Sequence, residues 1–322
     1  MPAVTQATNS APAGQALGSL DLAGAPLVLG GNVFGWTADD AASFAVLDAF
    51  ADAGGRMVDT ADGYSAWVPG NSGGESEATI GRWLARTGRR DDVLVATKVS
   101  THPEFRGLAA TTVRAAAEAS LKRLGTDRID LYYAHFDDAD TPLSETAAAF
   151  SALVDDGLVR EIGVSNYTPE RIDEWFAAVD AGGLHRPVAL QPHYNLVERG
   201  FEDALRPAAE RHGLGVLPYY ALASGFLAGG YRDGEAPDSP RAQGAARYLD
   251  DRGRRVLAAL DDVAAAHDVP VATVALAWLR AQPTVVAPVA SARHTGQLGA
   301  LLRSMSLELT PDELARLDGA SS

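Results

Sequence analysis

Lysine is the residue type whose usage stands out in this chain. Of its 27 lysine and arginine residues, only two are lysines, Lys98 and Lys122. Lys98 follows the apolar run 93–97, which is typical of a buried strand. A buried lysine changes its pKa readily and can act on a proton or a carbonyl carbon, which an arginine cannot do. Lys98 is therefore a candidate for chemistry, although a lysine whose stem lies along a strand end, as that of Lys122 would along a helix, fits the same local sequence.

Three further polar residues lie at or near the ends of neighbouring predicted strands. Asp59 ends the strand before that of Lys98, Tyr64 follows it in the next loop, and His135 comes directly after the strand that follows Lys98. Because neighbouring strands lie roughly 4.8 Å apart, these side chains could converge on one point. Each also has a structural explanation, as a helix cap, a packed ring or a structural histidine.

Together the four residue types match a site that polarises a carbonyl group and protonates it. The phenol of Tyr64 could protonate a developing alkoxide, but its ordinary pKa near 10 is high for work at neutral pH. The ammonium of Lys98 would lower that pKa, and Asp59 would hold Lys98 and offset its charge. His135 would donate a hydrogen bond to the carbonyl oxygen. The quartet contains no reductant, so a cofactor would have to deliver hydride.

The elements that must position these residues alternate along the chain. Eight short apolar runs are separated by stretches of helical periodicity, which predicts a parallel sheet and, over this length, a (β/α)8 barrel of the α/β class. A doubly wound open sheet is the alternative, but residues 30–35 after the first run do not have the G-x-G-x-x-G spacing. The predicted strands are 26–30, 57–59, 93–98, 129–134, 159–164, 188–191, 215–218 and 285–288. The predicted helices are about 41–53, 76–87, 111–124, 142–156, 169–181, 201–212 and 253–281, with another near 294–303.

The N-terminal segment and three helix starts complete the expected organisation. Residues 1–15 are predicted to be a disordered tail, and residues 16–322 a single domain that opens with a short β-hairpin at 16–24 in the barrel bottom. Thr141, Thr168 and Thr310 each precede a proline, which predicts a capping hydroxyl followed by proline in the first helical turn.

Composition excludes several classes of function. The chain has no cysteine, which excludes disulfides, cysteine nucleophiles and thiolate-held metals, and we expect no metal site. A net charge of −15 without a large basic cluster argues against nucleic acid as a partner. We see neither a secretory signal nor an apolar run of membrane-spanning length, so we expect a cytoplasmic protein without a membrane partner. Its oligomeric state is not predicted.

An ordered set of motifs extends along the chain. It contains V-D-T-A-D-G-Y at 58–64, T-K at 97–98, D-L-Y-Y-A-H at 130–135, G-V-S-N-Y at 163–167, Q-P-H-Y-N-L at 191–196, S-G-F-L-A-G at 224–229 and V-A-L-A-W-L at 274–279. By this ordered set the chain resembles the aldo-keto reductase superfamily.

The resemblance implies a barrel that binds NADP(H) in an extended pose, with NAD(H) as an alternative. It places Asp59, Tyr64, Lys98 and His135 on the catalytic tetrad, with Tyr64 as the proton donor. The residues that it implies for the cofactor are Ser165, Asn166 and Gln191 at the carboxamide, Tyr219 against the nicotinamide, Leu222 and Ser224 near the pyrophosphate, and Ser291, Arg293 and Gln297 near the 2′-phosphate.

The sequence departs from this family's pattern at two positions. Tyr220 stands where the family usually has serine, and Leu301 where a cofactor-binding asparagine is common. Arg293 can pair with a phosphate, which favours NADPH over NADH. For the substrate, the strand-end loops offer Trp36, Trp67 and Phe136, which suggest an apolar or sugar-stacking pocket.

Three functions follow as expectations. The first is NADPH-dependent reduction of a small-molecule aldehyde or ketone to an alcohol. The second is a Schiff-base aldolase, which would need Lys98 as a free amine without Asp59 as its partner. The third is a catalytically slow NADP(H)-binding regulatory or sensor subunit of the same fold, since a fold alone does not fix function.

Overall fold

The apolar runs form the parallel sheet that their spacing predicts. The computed structural model describes residues 17–231 and 242–322, so the predicted tail at residues 1–15 lies outside the described residues. The strands are β1 Val28–Gly30, β2 Met57–Asp59, β3 Leu94–Val99, β4 Thr101–His102, β5 Phe105–Arg106, β6 Ile129–Ala134, β7 Val159–Ser165, β8 Pro187–Gln191, β9 Gly215–Val216 and β10 Val289–Ala290.

The sheet closes into a barrel. Its order within the described residues is β10-β1-β2-β3-β6-β7-β8-β9, with β4 and β5 as a separate hairpin. The two outer strands meet through the last strand segment, where Val216 forms a parallel bridge with Val285, and the Val289 N–H donates to the Pro218 carbonyl at 2.9 Å. The segment 285–290 thus divides its backbone bonds between β9 and β1. This division explains why the regular strand begins at Val289 and not at the predicted residue 285.

Helices connect the strands and surround them. They are α1 Asp40–Asp52, α2 Glu75–Thr87, α3 Ala110–Leu124, α4 Leu143–Asp155, α5 Pro169–Gly182, α6 Gly200–Ala204, α7 Arg206–His212, α8 Ala242–Ala246, α9 Asp251–His267, α10 Val271–Arg280, α11 Thr295–Arg303 and α12 Pro311–Ser321. The fold is therefore the predicted (β/α)8 barrel of the α/β class.

Two of the three predicted helix caps are present. The Thr168 side chain accepts from the Arg171 N–H at the start of α5, and Thr310 forms a capping box with Glu313 at the start of α12. Thr141 does not cap α4, because its hydroxyl donates to the Asp138 carboxylate at 2.7 Å.

The long helix predicted at 253–281 is two helices. The first helix ends at His267, where Asp268 takes a left-handed φ of 50°, and Pro270, which has no N–H to continue a helical ladder, directly precedes the second; α9 and α10 meet at an angle of 97°. By length and apolar composition, no single helix in 17–231 or 242–322 could cross a membrane, although this bent pair passes the same test when taken together.

The N-terminal segment fills the bottom of the barrel. The predicted hairpin is reduced to one antiparallel bridge between Leu17 and Leu20, because only a tight turn separates them. Leu17, Leu20 and Leu22 pack with inward-facing residues at the strand starts, such as Met57 and Leu94. With the bottom filled, chemistry is left to the opposite end, where the strands terminate.

Candidate active site

The ammonium of Lys98 lies at the centre of a group of side chains at the carboxyl ends of the strands. Asp59 pairs in register with Ala96, so Lys98, two residues further along β3, points to the same face of the sheet. Lys98 Nζ donates to Asp59 Oδ2 at 2.6 Å, to the Thr60 carbonyl at 2.7 Å and to the Tyr64 hydroxyl at 3.1 Å. Both Lys98 and Asp59 are buried.

Lys98 stays charged in this environment. Burial alone would lower the pKa of its ammonium, but the Asp59 carboxylate and the Tyr64 oxygen raise that pKa above its ordinary value. A protonated amine has no lone pair for attack on a carbonyl carbon. The pairing with Asp59 therefore argues against the Schiff-base aldolase.

Tyr64 keeps its proton. Burial raises the pKa of its phenol, and although Lys98 acts in the opposite direction, the pKa lies above its ordinary value. The expected lowering by Lys98 is thus present as a contribution, but burial outweighs it. The hydroxyl is in the acid form at neutral pH, as a proton donor must be.

His135 lies beside Tyr64 and is neutral. The two rings are 5.9 Å apart between centroids and nearly perpendicular, at 74°. Burial, with a smaller contribution from Lys98, lowers the pKa of His135 well below its ordinary value. A neutral imidazole has one N–H, which can donate to a carbonyl oxygen without adding a charge. Its Nδ1 is buried and has no hydrogen-bond partner in the described part of the chain.

Four residues expected at the nicotinamide form one hydrogen-bonded chain that begins at Asp59. Gln191 Nε2 donates to Asp59 Oδ1 at 2.9 Å, and the Ser165 hydroxyl donates to the Gln191 carbonyl at 2.9 Å. Asn166 Nδ2 is 3.1 Å from the Ser165 hydroxyl, and the Tyr219 hydroxyl donates to Asn166 Oδ1 at 2.7 Å.

This hydrogen-bond network joins the tetrad to the residues expected at the nicotinamide. Asn166 Nδ2 also donates to the His135 carbonyl at 2.9 Å, while its backbone has a left-handed φ of 56°. Such a conformation is uncommon outside glycine and asparagine and recurs at functional sites. Amide and hydroxyl groups held in this way match the donors and acceptor of a carboxamide.

The loop after β9 contains a left-handed turn. Ala223, Ser224 and Gly225 follow Leu222 with φ values of 48°, 59° and 98°. The Ala223 N–H donates to the Tyr220 carbonyl at 2.7 Å and the Gly225 N–H to the Leu222 carbonyl at 2.8 Å, so both already bond within the loop. Leu222 and Ser224 thus lie in or beside this turn, and their role at the pyrophosphate stays a prediction.

The residues expected near the 2′-phosphate lie after β10, at the start of α11. The Arg293 N–H donates to Gln297 Oε1 at 2.9 Å, and the Ser291 hydroxyl donates to Asn32 Oδ1 at 2.6 Å. Arg293 is half-buried, and its guanidinium forms no ion pair within the described residues, so its charge is free for an anionic ligand. The residues present therefore fit NADP(H). Sequence reasoning did not identify Asn32, whose position just after the first strand was the available signal.

The three aromatic residues expected at the substrate end lie around Tyr64. The Trp36 and Trp67 rings are 5.5 Å apart, Trp67 is 6.3 Å from the Tyr64 ring, and Phe136 is 4.9 Å from the His135 ring, all between centroids. Tyr220, which sequence reasoning did not identify as a site residue, contacts Tyr219 at 5.3 Å. The signal that it offered was its departure from the serine that the resemblance led us to expect.

A polar cluster, also not identified from sequence, lies next to the tetrad. It consists of the buried residues Asp62, Glu77 and Tyr132 and the partly exposed Arg123. Arg123 Nε donates to Glu77 at 2.6 Å, but neither carboxyl oxygen of Asp62 has a hydrogen-bond partner in the described residues, and neither does the Tyr132 hydroxyl. Burial, followed by the nearby charge of Glu77, raises the pKa of Asp62 to about 8 against the opposing effect of Arg123.

The sequence is similar to known proteins along most of its length. The model of the aldo/keto reductase family matches residues 26–322. An uncharacterized oxidoreductase of Bacillus subtilis, YrpG, is 34% identical to this chain, with 94% of each protein covered. The protein tas of Escherichia coli is 31% identical over 91% of this chain and 92% of its own length. A probable voltage-gated potassium channel subunit beta of Arabidopsis thaliana is 30% identical over 88% of this chain and 89% of its own length.

Proposed function

This chain belongs to the aldo/keto reductase family, and from that premise we propose that it reduces an aldehyde or a ketone to an alcohol with NADPH. The observation that carries the proposal is the contact between the protonated Tyr64 phenol and the buried Lys98 ammonium, with O and Nζ 3.1 Å apart, beside a neutral His135. The family and its oxidoreductase relatives support an oxidoreductase in general, and this geometry supports a carbonyl reductase in particular.

NADPH, when bound, would supply the hydride that the carbonyl carbon receives. The residues of the chain do the rest. The His135 N–H donates to the substrate oxygen and orients it, and the Tyr64 hydroxyl transfers its proton to that oxygen as negative charge develops there. The resulting phenolate is stabilised by Lys98, whose charge Asp59 offsets and whose position the Thr60 carbonyl fixes.

The preference for NADPH rests on Arg293. Its guanidinium has no carboxylate partner within 17–231 and 242–322, and a 2′-phosphate would give it one. We expect Arg293→Ala to raise the KM for NADPH by roughly ten- to a hundredfold and to leave that for NADH nearly unchanged, since a charge-assisted hydrogen bond contributes roughly 1.5–3 kcal/mol. Equal effects on both cofactors would contradict this assignment.

The role of Tyr64 is tested by Tyr64→Phe, assayed with a panel of carbonyl compounds. Loss of the proton donor should lower kcat by about 10²–10⁴-fold. Tyr167→Phe is the matched control, because the Tyr167 hydroxyl is buried without a partner in the described residues and its removal should leave turnover unchanged. If Tyr64→Phe retains wild-type turnover, Tyr64 is not the acid.

A second candidate function is a slow, cofactor-binding regulatory subunit. It is favoured by the similarity to a relative named as a probable channel subunit beta. Stopped-flow oxidation of bound NADPH by simple aldehydes distinguishes the two functions. Oxidation in single turnovers at rates on the order of 1 per second or faster supports the reductase, and tight binding without oxidation supports the subunit.

A further inference from the structure

Tyr133 lies beneath the tetrad, on the inner face of the barrel. It is the Cα partner of Lys98 across β3 and β6, so both side chains point into the barrel at the same level. Its ring packs with the apolar residues that fill the barrel interior, such as Met57 and Leu131. Only 1% of its surface is exposed. Tyr133 is therefore closed off from the open end of the barrel, where a substrate would enter.

Small residues on the next two strands make room for the Tyr133 ring. Gly163 on β7 is the Cα partner of Tyr133, and a Cβ at Gly163 would overlap the ring. Ala189 on β8 pairs in turn with Gly163. The ring therefore extends sideways across Gly163, and its hydroxyl reaches β8, where it forms a hydrogen bond with the Gln191 side chain. Close packing on one side and this bond at its tip hold the ring in one orientation.

The face of the Tyr133 ring lies near the ammonium of Lys98. Lys98 Nζ is 5.7 Å from the centre of the Tyr133 ring and 4.9 Å from that of the Tyr64 ring. Both distances fall within the range of about 6 Å over which an aromatic face attracts a cation. The three hydrogens of the ammonium are meanwhile taken up by Asp59, the Thr60 carbonyl and Tyr64. The ring thus adds an attraction that does not compete for any of these hydrogens.

Tyr133 offers this aromatic face without adding a charge to the site. Burial, followed by the nearby Asp59 carboxylate, raises the pKa of its phenol well above the ordinary value, so the phenol stays neutral. When proton transfer leaves a phenolate at Tyr64, Lys98 must remain within hydrogen-bond distance of that oxygen. The Tyr133 ring occupies the space below, into which the ammonium could otherwise withdraw.

We propose that Tyr133 is a positioning residue for the reaction: its ring forms the floor beneath the Lys98 ammonium and holds that ammonium against the Tyr64 oxygen. This inference rests on the proposed reductase function, because the group that benefits is the phenolate that proton transfer leaves at Tyr64. Tyr133 acts through Lys98 and is shielded from the substrate.

The first test is steady-state reduction of benzaldehyde with NADPH. Tyr133→Met and Tyr133→Leu remove the ring, and Tyr133→Phe keeps it. We expect the first two to lower kcat by about two- to thirtyfold, the range of a cation–π contact, and to leave the KM for benzaldehyde within about twofold. Tyr133→Phe should keep kcat within about twofold of wild type. Tyr132→Met is the matched control and should leave kcat unchanged, because Tyr132 is also buried on β6 but packs outside the sheet, against Phe150.

The second test observes Lys98 directly by nuclear magnetic resonance and does not need turnover. Lysine labelled with ¹³C at Cε gives only two side-chain signals, because the chain has two lysines, and Lys122 on α3 is the internal reference. We expect the wild-type spectrum to show Overhauser contacts between the Lys98 ε-protons and the Tyr133 ring protons. The pKa of Lys98 should fall in Tyr133→Met but not in Tyr133→Phe, because the ring favours the charged amine. The Lys122 signal should be the same in all three proteins.

The outcomes separate this inference from the proposed function. Wild-type kcat in Tyr133→Met, or an equal loss in Tyr133→Phe or Tyr132→Met, overturns the role of the ring while leaving the reductase intact. If the wild-type protein reduces no aldehyde, the reductase proposal fails, and the spectra alone decide whether the ring holds Lys98. Absence of the contact between Lys98 and Tyr133 from the wild-type spectrum overturns the inference even if no variant folds. An unchanged pKa of Lys98 in Tyr133→Met overturns it as well.

Discussion

The protonation state of the buried Asp62 carboxyl, next to the tetrad, can be tested directly. It lies two residues before Tyr64 in the loop after β2, is fully buried, and has no hydrogen-bond partner for either carboxyl oxygen among the described residues. Its backbone N–H donates to the Lys98 carbonyl at 3.1 Å, so the fold holds it next to the tetrad. We predict that Asp62→Asn removes a pH-dependent loss of stability from the protein.

The magnitude follows from the pKa of Asp62. An aspartate has a pKa of about 3.9 in the unfolded chain, whereas burial, together with Glu77, raises that of Asp62 to about 8 in the fold. Between these values the fold retains a proton that the unfolded chain has released. The free energy of unfolding therefore falls as pH rises, by about 1.4 kcal/mol per pH unit. The loss is absent below about pH 4, reaches on the order of 5 kcal/mol near pH 8 and is constant above that.

Asparagine does not titrate, so the free energy of unfolding of Asp62→Asn lacks this dependence on pH. Burying the asparagine amide has a free-energy cost of its own, but that cost does not change with pH. The assay is urea unfolding of wild type and variant from pH 5 to pH 9, followed by tryptophan fluorescence. The free energy of unfolding of the variant should rise relative to that of wild type up to pH 8 and then stay level.

Asp48→Asn is the matched control for this measurement. The pKa of Asp48 is lowered, because hydrogen bonds from Trp83 and Arg86 outweigh the effect of burial. The stability that the ionised Asp48 contributes is lost only as pH falls through this lowered pKa. The difference in the free energy of unfolding between Asp48→Asn and wild type should therefore stay constant from pH 5 to pH 9. An equally flat difference for Asp62→Asn would show that Asp62 is ionised in the fold and would refute the reasoning.

Three further predictions concern the tetrad and the helix ends. Lys98→Arg should lower kcat by at least about a hundredfold while the circular dichroism stays that of wild type, because a planar fork cannot replace the ammonium; near-normal turnover would mean that the charge alone is sufficient. Since the pKa of His135 lies well below its ordinary value, kcat/KM should show no inflection near pH 6.5, and an inflection there that His135→Gln abolishes would contradict a neutral His135. Thr310→Ala removes the capping box of α12 and should lower the free energy of unfolding by about 1 kcal/mol in urea titrations; an unchanged midpoint would show that α12 does not depend on its cap.

The sequence predicts the barrel because its signals are local. Each strand is a short apolar run, and caps such as those at Thr168 and Thr310 depend on residues within one helical turn. The errors also have local causes. The helical pattern runs through Pro270, so periodicity alone joins α9 to α10, and Thr141 has an acceptor in Asp138 that competes with the backbone of α4.

The sequence predicts those parts of the site whose chemistry follows from residue type and position along a strand. Lys98 and His135 are polar side chains at strand ends and Tyr64 lies in the loop that follows such an end, so parallel strands bring the three together. The isolation of Asp62 depends on what α2 and α3 place beside it, namely Glu77 already paired with Arg123. The left-handed backbone of Tyr220 likewise depends on a buried asparagine from a distant loop. Such properties arise from tertiary packing and have no local sequence signal.

In a chain with only two lysines, the lysine at position 98 has a structural reason. An ammonium has three hydrogens that point in different directions, and here they meet a carboxylate, a backbone carbonyl and a phenol within 3.1 Å. A guanidinium is planar, and in the same buried position it could pair with Asp59 but not also reach the Thr60 carbonyl and the Tyr64 oxygen without displacing one of them. The site therefore needs the geometry of lysine as well as its charge, because the group that stabilises the Tyr64 phenolate must at the same time be neutralised by Asp59 and fixed by the backbone.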